Sequence, residues 1–241
     1  GFKTFDPLKK KIGKRFVNMG VAEQNMINVA TGLCGHNFPV MVYSIVNFLT
    51  FRSLEQIRNN IAYDKNNIKL ISNGAGFSYS ILGFTHHGIE DLALMRILPN
   101  IKIVVPTFQK DSKKIINYLL KKNCPIYLRL DNKFANFNKN ISEKVNKDTK
   151  ILILSYGSIV DSIYEAITEI KASKNISVYC PIEIKELKNY LKKNNIKKLK
   201  KIFIIEEHLE ENGMSEVYGN LIKKIAPNII VKKLGIKNKN P

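Results

Sequence analysis

The sequence predicts an α/β protein with two doubly wound domains, each built on a mostly parallel sheet. Apolar runs of strand length are continuous rather than alternating, as in strands that are buried on both faces of a parallel sheet. Segments with helical periodicity separate these runs along the chain. A polar stretch rich in Asn and Lys, residues 131–150, interrupts the alternation and predicts a domain boundary.

Strands and helices alternate in the prediction for the first half of the chain. The expected strands are 38–46, 68–72, 101–106 and 125–130. The expected helices are 21–34, 51–63, 89–98 and 109–121. In the first helix the apolar stripe is formed by Val21, Met26, Val29, Ala30 and Leu33, which share one helical face.

The second half repeats the alternation. Its expected strands are 151–155, 176–180, 201–206 and 229–233, and its expected helices are 159–171, 184–193 and 214–225. Strand–helix–strand spacing of this kind implies right-handed crossovers and a sheet covered on both sides. The predicted domains are therefore 1–135 and 148–241, joined by a linker over 136–147.

The charge of the chain does not by itself indicate a nucleic-acid partner. The 241 residues carry a formal net charge of +19, from 39 Lys and Arg against 20 Asp and Glu. Most of this excess is lysine, whereas readers of nucleic acids rely on the planar fork of arginine. The arginines are Arg15, Arg52, Arg58, Arg96 and Arg129. We expect a lysine-rich solvated surface and no nucleic-acid function.

Cysteine usage and hydropathy indicate the compartment. Cys34, Cys124 and Cys180 are widely spaced, with no CxxC motif. Such scattered cysteines favour reduced thiols in a cytoplasmic protein and argue against a zinc site. No apolar run is long enough to cross a bilayer, so no membrane partner is expected.

Candidate chemistry lies just after the predicted strands, because ligands of open α/β sheets bind at the carboxyl ends of strands. Glu23 stands in the first turn of a predicted helix, either complementing the helix dipole or serving as a half-buried carboxylate for proton chemistry. Phe48 and Phe51 lie three residues apart at a strand-to-helix junction. They either line one wall of a cleft or belong to the core.

Two further candidates follow later strands. The glycine-punctuated loop 74–91 ends in His86 and His87, of which at most one can face a pocket. Arg129 stands inside an otherwise apolar strand and must find a partner. That partner is either Asp131 or the phosphate of a ligand. Motifs of P-loop kinases, Rossmann dehydrogenases, serine hydrolases and zinc proteases are absent from the sequence.

Several segments, taken in order, resemble the C-terminal half of the transketolase family, which includes the deoxyxylulose-phosphate synthases. The segments are RFVNMGVAEQNM at 15–26, Phe48 with Arg52 and Glu55-Gln56, GFTH at 83–86, EDLALMR at 90–96 with Pro99-Asn100, and IEEH at 205–208 with Asn212-Gly213. The resemblance runs nearly end to end. It implies a pyrimidine-binding domain over 1–135 and a transketolase C-terminal domain over 148–241.

The resemblance also implies thiamin diphosphate as cofactor and a role for each candidate residue. Glu23 matches the glutamate that contacts N1′ of the aminopyrimidine ring and favours its imino tautomer. Phe48 matches the ring that stacks on the pyrimidine, and Phe51 completes that wall. His86 matches a histidine that contacts the substrate, and Arg129 matches an arginine that holds the sugar phosphate. Glu23 and His86 are thus the expected catalytic residues.

The family's diphosphate half, with its magnesium motif, does not occur in this sequence. We therefore expect Mg²⁺ and the diphosphate to be held by a separate N-terminal subunit, with association into a dimer of heterodimers, a heterotetramer. The first strand of the pyrimidine-binding domain is also expected to be missing before Gly1. The expected activity is transfer of a two-carbon ketol unit between sugars, by the complex and not by this chain alone.

Two departures and two alternatives accompany this expectation. Leu82 and Phe84 stand where the family has an aspartate and a proline, which suggests a phosphorylated sugar that is less polar or modified. One alternative is the β-subunit of a 2-oxo acid dehydrogenase, which is also a split thiamin enzyme. The other is a non-catalytic, transketolase-like binding or regulatory module.

Overall fold

The computed structural model describes residues 5–35, 40–194 and 196–237 of the chain. Over these residues the strands form two four-stranded sheets, and every strand pair within each sheet is parallel. Helices flank both sheets. The predicted fold class, an α/β protein with two parallel-sheet units, is confirmed.

The first sheet has the spatial order β1-β2-β4-β3. Its strands are β1 (Val40–Ile45), β2 (Ile68–Asn73), β3 (Lys102–Val104) and β4 (Ile126–Leu130). The central strands β2 and β4 are buried along most of their length, and this includes the polar side chains of Lys69, Ser72 and Arg129. The predicted strand 38–46 starts outside the described residues, and it ends at Ile45 because the chain turns into a helix at Val46.

The helices around this sheet are α1 (Asp6–Ile12), α2 (Glu23–Cys34), α3 (Val46–Thr50), α4 (Leu54–Gln56), α5 (Asp91–Ile97) and α6 (Ser112–Lys121). Helix α1 was not predicted, since none of its residues is buried and it has no apolar stripe. The predicted helix 51–63 starts at Leu54 and is π-helical over Ile57–Tyr63. Ile57, Ile61 and Ala62 are its buried residues, and their spacing of four and five suits the wider π-helical turn.

The second sheet has the spatial order β6-β5-β7-β8. Its strands are β5 (Ile151–Leu154), β6 (Ile176–Tyr179), β7 (Lys201–Leu209) and β8 (Ile230–Ile236). Its helices are α7 (Val160–Glu169), α8 (Glu186–Lys193) and α9 (Met214–Ile225), the last with the predicted bounds. Strand β7 runs three residues beyond its predicted end, so that it reaches the first sheet's loops.

The two sheets are tied together at several places. Val105 N–H donates to the carbonyl of Ile182 at 2.8 Å, and Ile184 N–H donates to Ile103 at 3.3 Å. At the end of β7, Leu209 N–H donates to the carbonyl of Ile89, in the first half of the chain, at 3.0 Å. One core cluster also includes buried residues from both sheets. The position of β7 is therefore fixed relative to the loops that follow β2.

The connection between β4 and β5 contains neither a helix nor a strand, as expected for a linker. It is nevertheless anchored, because Ala135 and Ile141 are buried. A domain division near residue 135 stays a prediction, as does the missing first strand. Among the described helices, none has both the length and the apolarity needed to cross a bilayer.

Candidate functional site

Glu23 opens helix α2 with a carboxylate that is largely buried. The residue is only 8% exposed. Ser44, near the end of β1, donates its hydroxyl to Oε1 at 3.3 Å. Arg52 donates from Nη1 to Oε2 at 3.2 Å. Glu23 therefore lies beside the carboxyl end of β1 and has specific partners beyond the helix dipole, and its part in proton chemistry stays a prediction.

Phe48 forms a wall beside this carboxylate. Its ring is partly buried, and the Arg52 guanidinium lies 4.1 Å from the ring centroid. Phe51 is 49% exposed and Leu49, between them, is fully buried. The core of this turn is therefore formed by Leu49 rather than by the two phenylalanines.

The His86 ring also contacts Phe48. The two ring centroids are 5.1 Å apart in an edge-to-face arrangement, and Thr85 Oγ1 lies 2.9 Å from His86 Nδ1. His87 points elsewhere, with Nε2 3.4 Å from the Ser80 carbonyl and its ring against Phe77. The structure thus brings His86, and not His87, next to the group formed by Glu23, Arg52 and Phe48.

Arg129 is buried in an internal ion pair with Asp91, and its role in holding a sugar phosphate stays a prediction. The residue is 1% exposed, and its Nε contacts both carboxylate oxygens of Asp91 at 3.0 and 3.2 Å. Its Nη2 donates to the carbonyls of Gly88, at 2.9 Å, and Glu207, at 3.2 Å. A guanidinium with these internal partners is almost inaccessible to a sugar phosphate, which argues against that role. Its ion-pair partner is Asp91 and not Asp131, whose carboxylate accepts from Ser158 N–H.

Burial explains why Arg129 requires a partner of opposite charge. Strand β4 is covered on both faces, so the guanidinium needs an ion pair in the interior. Asp91 begins α5 and is 1% exposed, and Tyr127 also donates its hydroxyl to Oδ2 at 2.7 Å. Burial and the Asp91 charge raise the pKa of Tyr127 well above its ordinary value, which keeps it a donor.

Glu207, in β7 of the second sheet, lies against the loop that carries His86. Gly76 and Gly88 exchange backbone hydrogen bonds of 2.8 and 2.9 Å that close the base of this loop. Gly76 has a φ of +59°, and a Cβ there would collide with the Glu207 carboxylate, so this position requires glycine. Burial, and secondarily the charge of Asp131, raise the pKa of Glu207 above its ordinary value.

A family model described as "Transketolase, pyrimidine binding domain" matches residues 1–135. The chain belongs to the transketolase family. Its second unit and its overall arrangement agree with this, because a solved structure titled "Split gene transketolase, inactive beta4 tetramer" superposes on 98% of the chain. That match has a TM-score of 0.82 and 27% identity, and it covers 79% of the solved chain.

Curated relatives in the transketolase family span the same two units. An apulose-4-phosphate transketolase subunit of Actinobacillus succinogenes is 30% identical over 95% of this chain and 77% of its own length. The 1-deoxy-D-xylulose-5-phosphate synthase of Halothermothrix orenii is 27% identical over 95% of this chain but only 37% of its own length. The chain therefore corresponds to the C-terminal half of a split transketolase.

Two residues of this site were given no role from the sequence, although Arg52 stands in one of the segments that resemble the family. Arg52 joins Glu23 to Phe48, and Asn47 contacts the backbone on both sides of His86. A polar residue directly before Phe48 was the only sequence signal for Asn47. In the part of the chain that the structure describes, no group of three or more His, Cys, Asp or Glu is arranged to hold a metal ion.

Proposed function

We propose that this chain is the pyrimidine-binding subunit of a thiamin-diphosphate-dependent transketolase-like enzyme that transfers a two-carbon ketol unit between sugars. The observation that carries the proposal is the continuous series of contacts from Glu23 through Arg52 and Phe48 to His86. Family membership supports the cofactor, and it favours transketolase chemistry over that of a 2-oxo acid dehydrogenase.

The residues present fit the aminopyrimidine ring of the cofactor. That ring is planar and needs an aromatic face to stack on and a carboxyl group at its edge. The Arg52 guanidinium, which is also planar, already makes both kinds of contact, with Phe48 at 4.1 Å and with Glu23 at 3.2 Å. One flat group can therefore bridge the two side chains, which supports their joint role in the cofactor site.

Each residue of the chain has a defined task in this proposal. The Glu23 carboxyl group holds or shares a proton at the ring edge, and the Ser44 hydroxyl orients it. Phe48 and the exposed Phe51 form the wall that excludes water from one face of the ring. His86 binds the substrate beside that wall. When bound, thiamin diphosphate supplies the carbanion-stabilising chemistry itself.

We further propose that a separate N-terminal subunit holds the diphosphate and Mg²⁺ and completes a dimer of heterodimers. Two observations support a partner. The relative from Actinobacillus succinogenes is itself named as one subunit of a transketolase. Large apolar side chains around the site are exposed, with Val21 87%, Ile81 94% and Phe84 73% accessible, as is typical of interaction surfaces.

The substrate is proposed to be a phosphorylated or modified sugar. Leu82, which is 55% exposed, stands on the His86 loop where the family has an aspartate, and it favours a substrate with fewer hydroxyl groups at that point. Arg129, which is buried in its ion pair with Asp91, is left out of the proposed phosphate site. Cys34, Cys124 and Cys180 are all free thiols, which supports a reducing compartment, and we propose the cytoplasm.

Reconstitution tests the proposed function. The purified chain is mixed with an N-terminal transketolase subunit, thiamin diphosphate and Mg²⁺, and ketol transfer between sugar phosphates is measured. We expect transfer by the mixture and none by either subunit alone. Decarboxylation of 2-oxo acids without ketol transfer would support the dehydrogenase alternative, and cofactor binding without any turnover would support a non-catalytic module.

Replacing Arg52 with Ala is expected to tighten binding of thiamin diphosphate to the complex by roughly 5- to 30-fold. The cofactor ring no longer has to displace a guanidinium whose ion pair and cation–π contact are each worth about 0.5–1 kcal/mol. Isothermal titration of the complex measures this. Arg58→Ala, which removes an exposed arginine that donates to Asn59, is the control. Weaker binding by Arg52→Ala would show instead that Arg52 helps hold the cofactor.

A further inference from the structure

Asn47 connects helix α3 to the backbone around His86. Its Nδ2 donates to the carbonyl of Thr85 at 3.0 Å and to the carbonyl of His87 at 2.9 Å. Both amide hydrogens are therefore used on the carbonyls of the two residues next to His86, Thr85 and His87. These partners lie 38 and 40 residues further along the chain, so the contacts belong to the tertiary structure and not to a local turn.

The rest of this segment is fixed from outside the loop as well. The Gly88 carbonyl accepts from Arg129 at 2.9 Å, and the Ile89 carbonyl accepts from Leu209 N–H at 3.0 Å. Within the described residues, the His86 ring contacts the Thr85 hydroxyl oxygen and the Phe48 ring. Its direction is consequently set by the backbone on either side, which Asn47 binds.

The side-chain amide of Asn47 acts here as a hydrogen-bond donor. Its Oδ1 is buried and accepts no hydrogen bond from the described residues, which is a costly state for a polar atom. The opposite amide orientation would place Oδ1 against two carbonyl oxygens, so the orientation follows from the network. An apolar side chain of similar size would avoid the unpaired oxygen but would also lose both contacts around His86.

We propose that Asn47 is a positioning residue, which holds the His86 ring against Phe48 and toward the substrate by binding the carbonyls of Thr85 and His87. The inference rests on the proposed function of His86 as the substrate-binding histidine. It assigns to α3 a second task, because Asn47 and Phe48 are adjacent residues that serve the substrate side and the cofactor side of one site.

Asn47→Asp is the sharpest test, because it keeps the size of the side chain and replaces the donor with a charged acceptor. In the reconstituted complex we expect kcat/KM to fall roughly 10- to 100-fold, as a displacement of about 1 Å in a binding group can cause. The affinity for thiamin diphosphate stays within about twofold. Asn60→Asp, at a surface amide that donates to Asn28 at 3.0 Å, is the matched control and leaves kcat/KM unchanged.

A double variant distinguishes positioning from general damage. If Asn47 acts through His86, then Asn47→Asp has no further effect on kcat/KM in a His86→Ala background. Additive losses would overturn the proposal. Asn47→Ser, which removes the two amide donors without adding charge, is measured in the same way, so that a folding defect of the Asp variant leaves the test intact.

A spectroscopic readout separates this inference from the proposed function. The chain has four histidines, and the ring resonance of His86 in the full-length chain is the one that His86→Ala removes. We expect Asn47→Asp and Asn47→Ser to shift this resonance, because the ring moves relative to Phe48, and Asn60→Asp to leave it in place. An unshifted resonance overturns the positioning role. Absence of ketol transfer by the wild-type complex overturns the proposed function and leaves the resonance test valid.

Discussion

Replacing Glu23 with Gln is expected to lower kcat of the reconstituted complex by about 10²- to 10⁴-fold, the usual contribution of a positioned acid–base group. Glutamine preserves the size of the side chain and can still contact Ser44 and Arg52, but it cannot hold or share a proton as a carboxyl group does. The measurement is the initial rate of ketol transfer at saturating thiamin diphosphate, so that a change in cofactor affinity does not contribute.

Glu55→Gln is the control for this experiment. Glu55 is an exposed carboxylate in the first turn of α4, on the same stretch of chain as Arg52, whereas the ion pair of Glu23 is with Arg52. We expect the control to retain wild-type kcat. A Glu23→Gln complex with near-wild-type kcat would remove Glu23 from the catalytic site and leave it as a helix N-terminal acid.

Replacing Arg129 with Met is expected to destabilise the chain by about 3–5 kcal/mol, because it leaves the Asp91 carboxylate buried without its cation. Arg129 and Asp91 have side chains that are 1% and 0% exposed, with Nε and Oδ2 3.0 Å apart. Loss of the guanidinium also removes its hydrogen bonds to the carbonyls of Gly88 and Glu207, which belong to different halves of the chain. Urea unfolding followed by circular dichroism gives the free energy of unfolding.

Two further variants test the cause of this loss. The double variant Arg129→Met with Asp91→Leu is expected to recover part of the stability, since no uncompensated charge remains in the interior. Arg58→Met, at an exposed position, is expected to change the free energy of unfolding by less than about 0.5 kcal/mol. A loss below about 1 kcal/mol in Arg129→Met would contradict the importance of the buried pair.

Much of the fold follows from the sequence, because strands covered on both faces are continuously apolar. The run at Ile126–Leu130 is such a strand apart from Arg129, and the amphipathic helix Met214–Ile225 was predicted with its observed bounds. Helix α1 buries nothing and left no pattern to detect. The π-helical stretch Ile57–Tyr63 satisfies a helical periodicity, but that periodicity does not specify the wider turn.

The candidate site was predictable only in part. Phe48 and His86 could be grouped because each follows a strand of a parallel sheet, where carboxyl ends meet at one edge. Glu23 precedes the first described strand, and only the family resemblance grouped it with them. The need of Arg129 for a partner was also readable, but its choice of Asp91, 38 residues away, depends on how α5 packs against β4. Arg52 and Asn47 contribute through hydrogen bonds of about 3 Å to residues far away in the sequence. No spacing along the chain predicts such contacts.

The central claim is that this chain supplies the pyrimidine side of a cofactor site that another subunit completes. Equilibrium binding of thiamin diphosphate, in the presence of Mg²⁺, to this chain, to the N-terminal subunit and to their mixture tests it most directly. We expect tight binding only in the mixture, weakened there by Phe48→Ala in this chain. Equally tight binding to the N-terminal subunit alone, unaffected by adding either the wild-type chain or Phe48→Ala, would contradict the account.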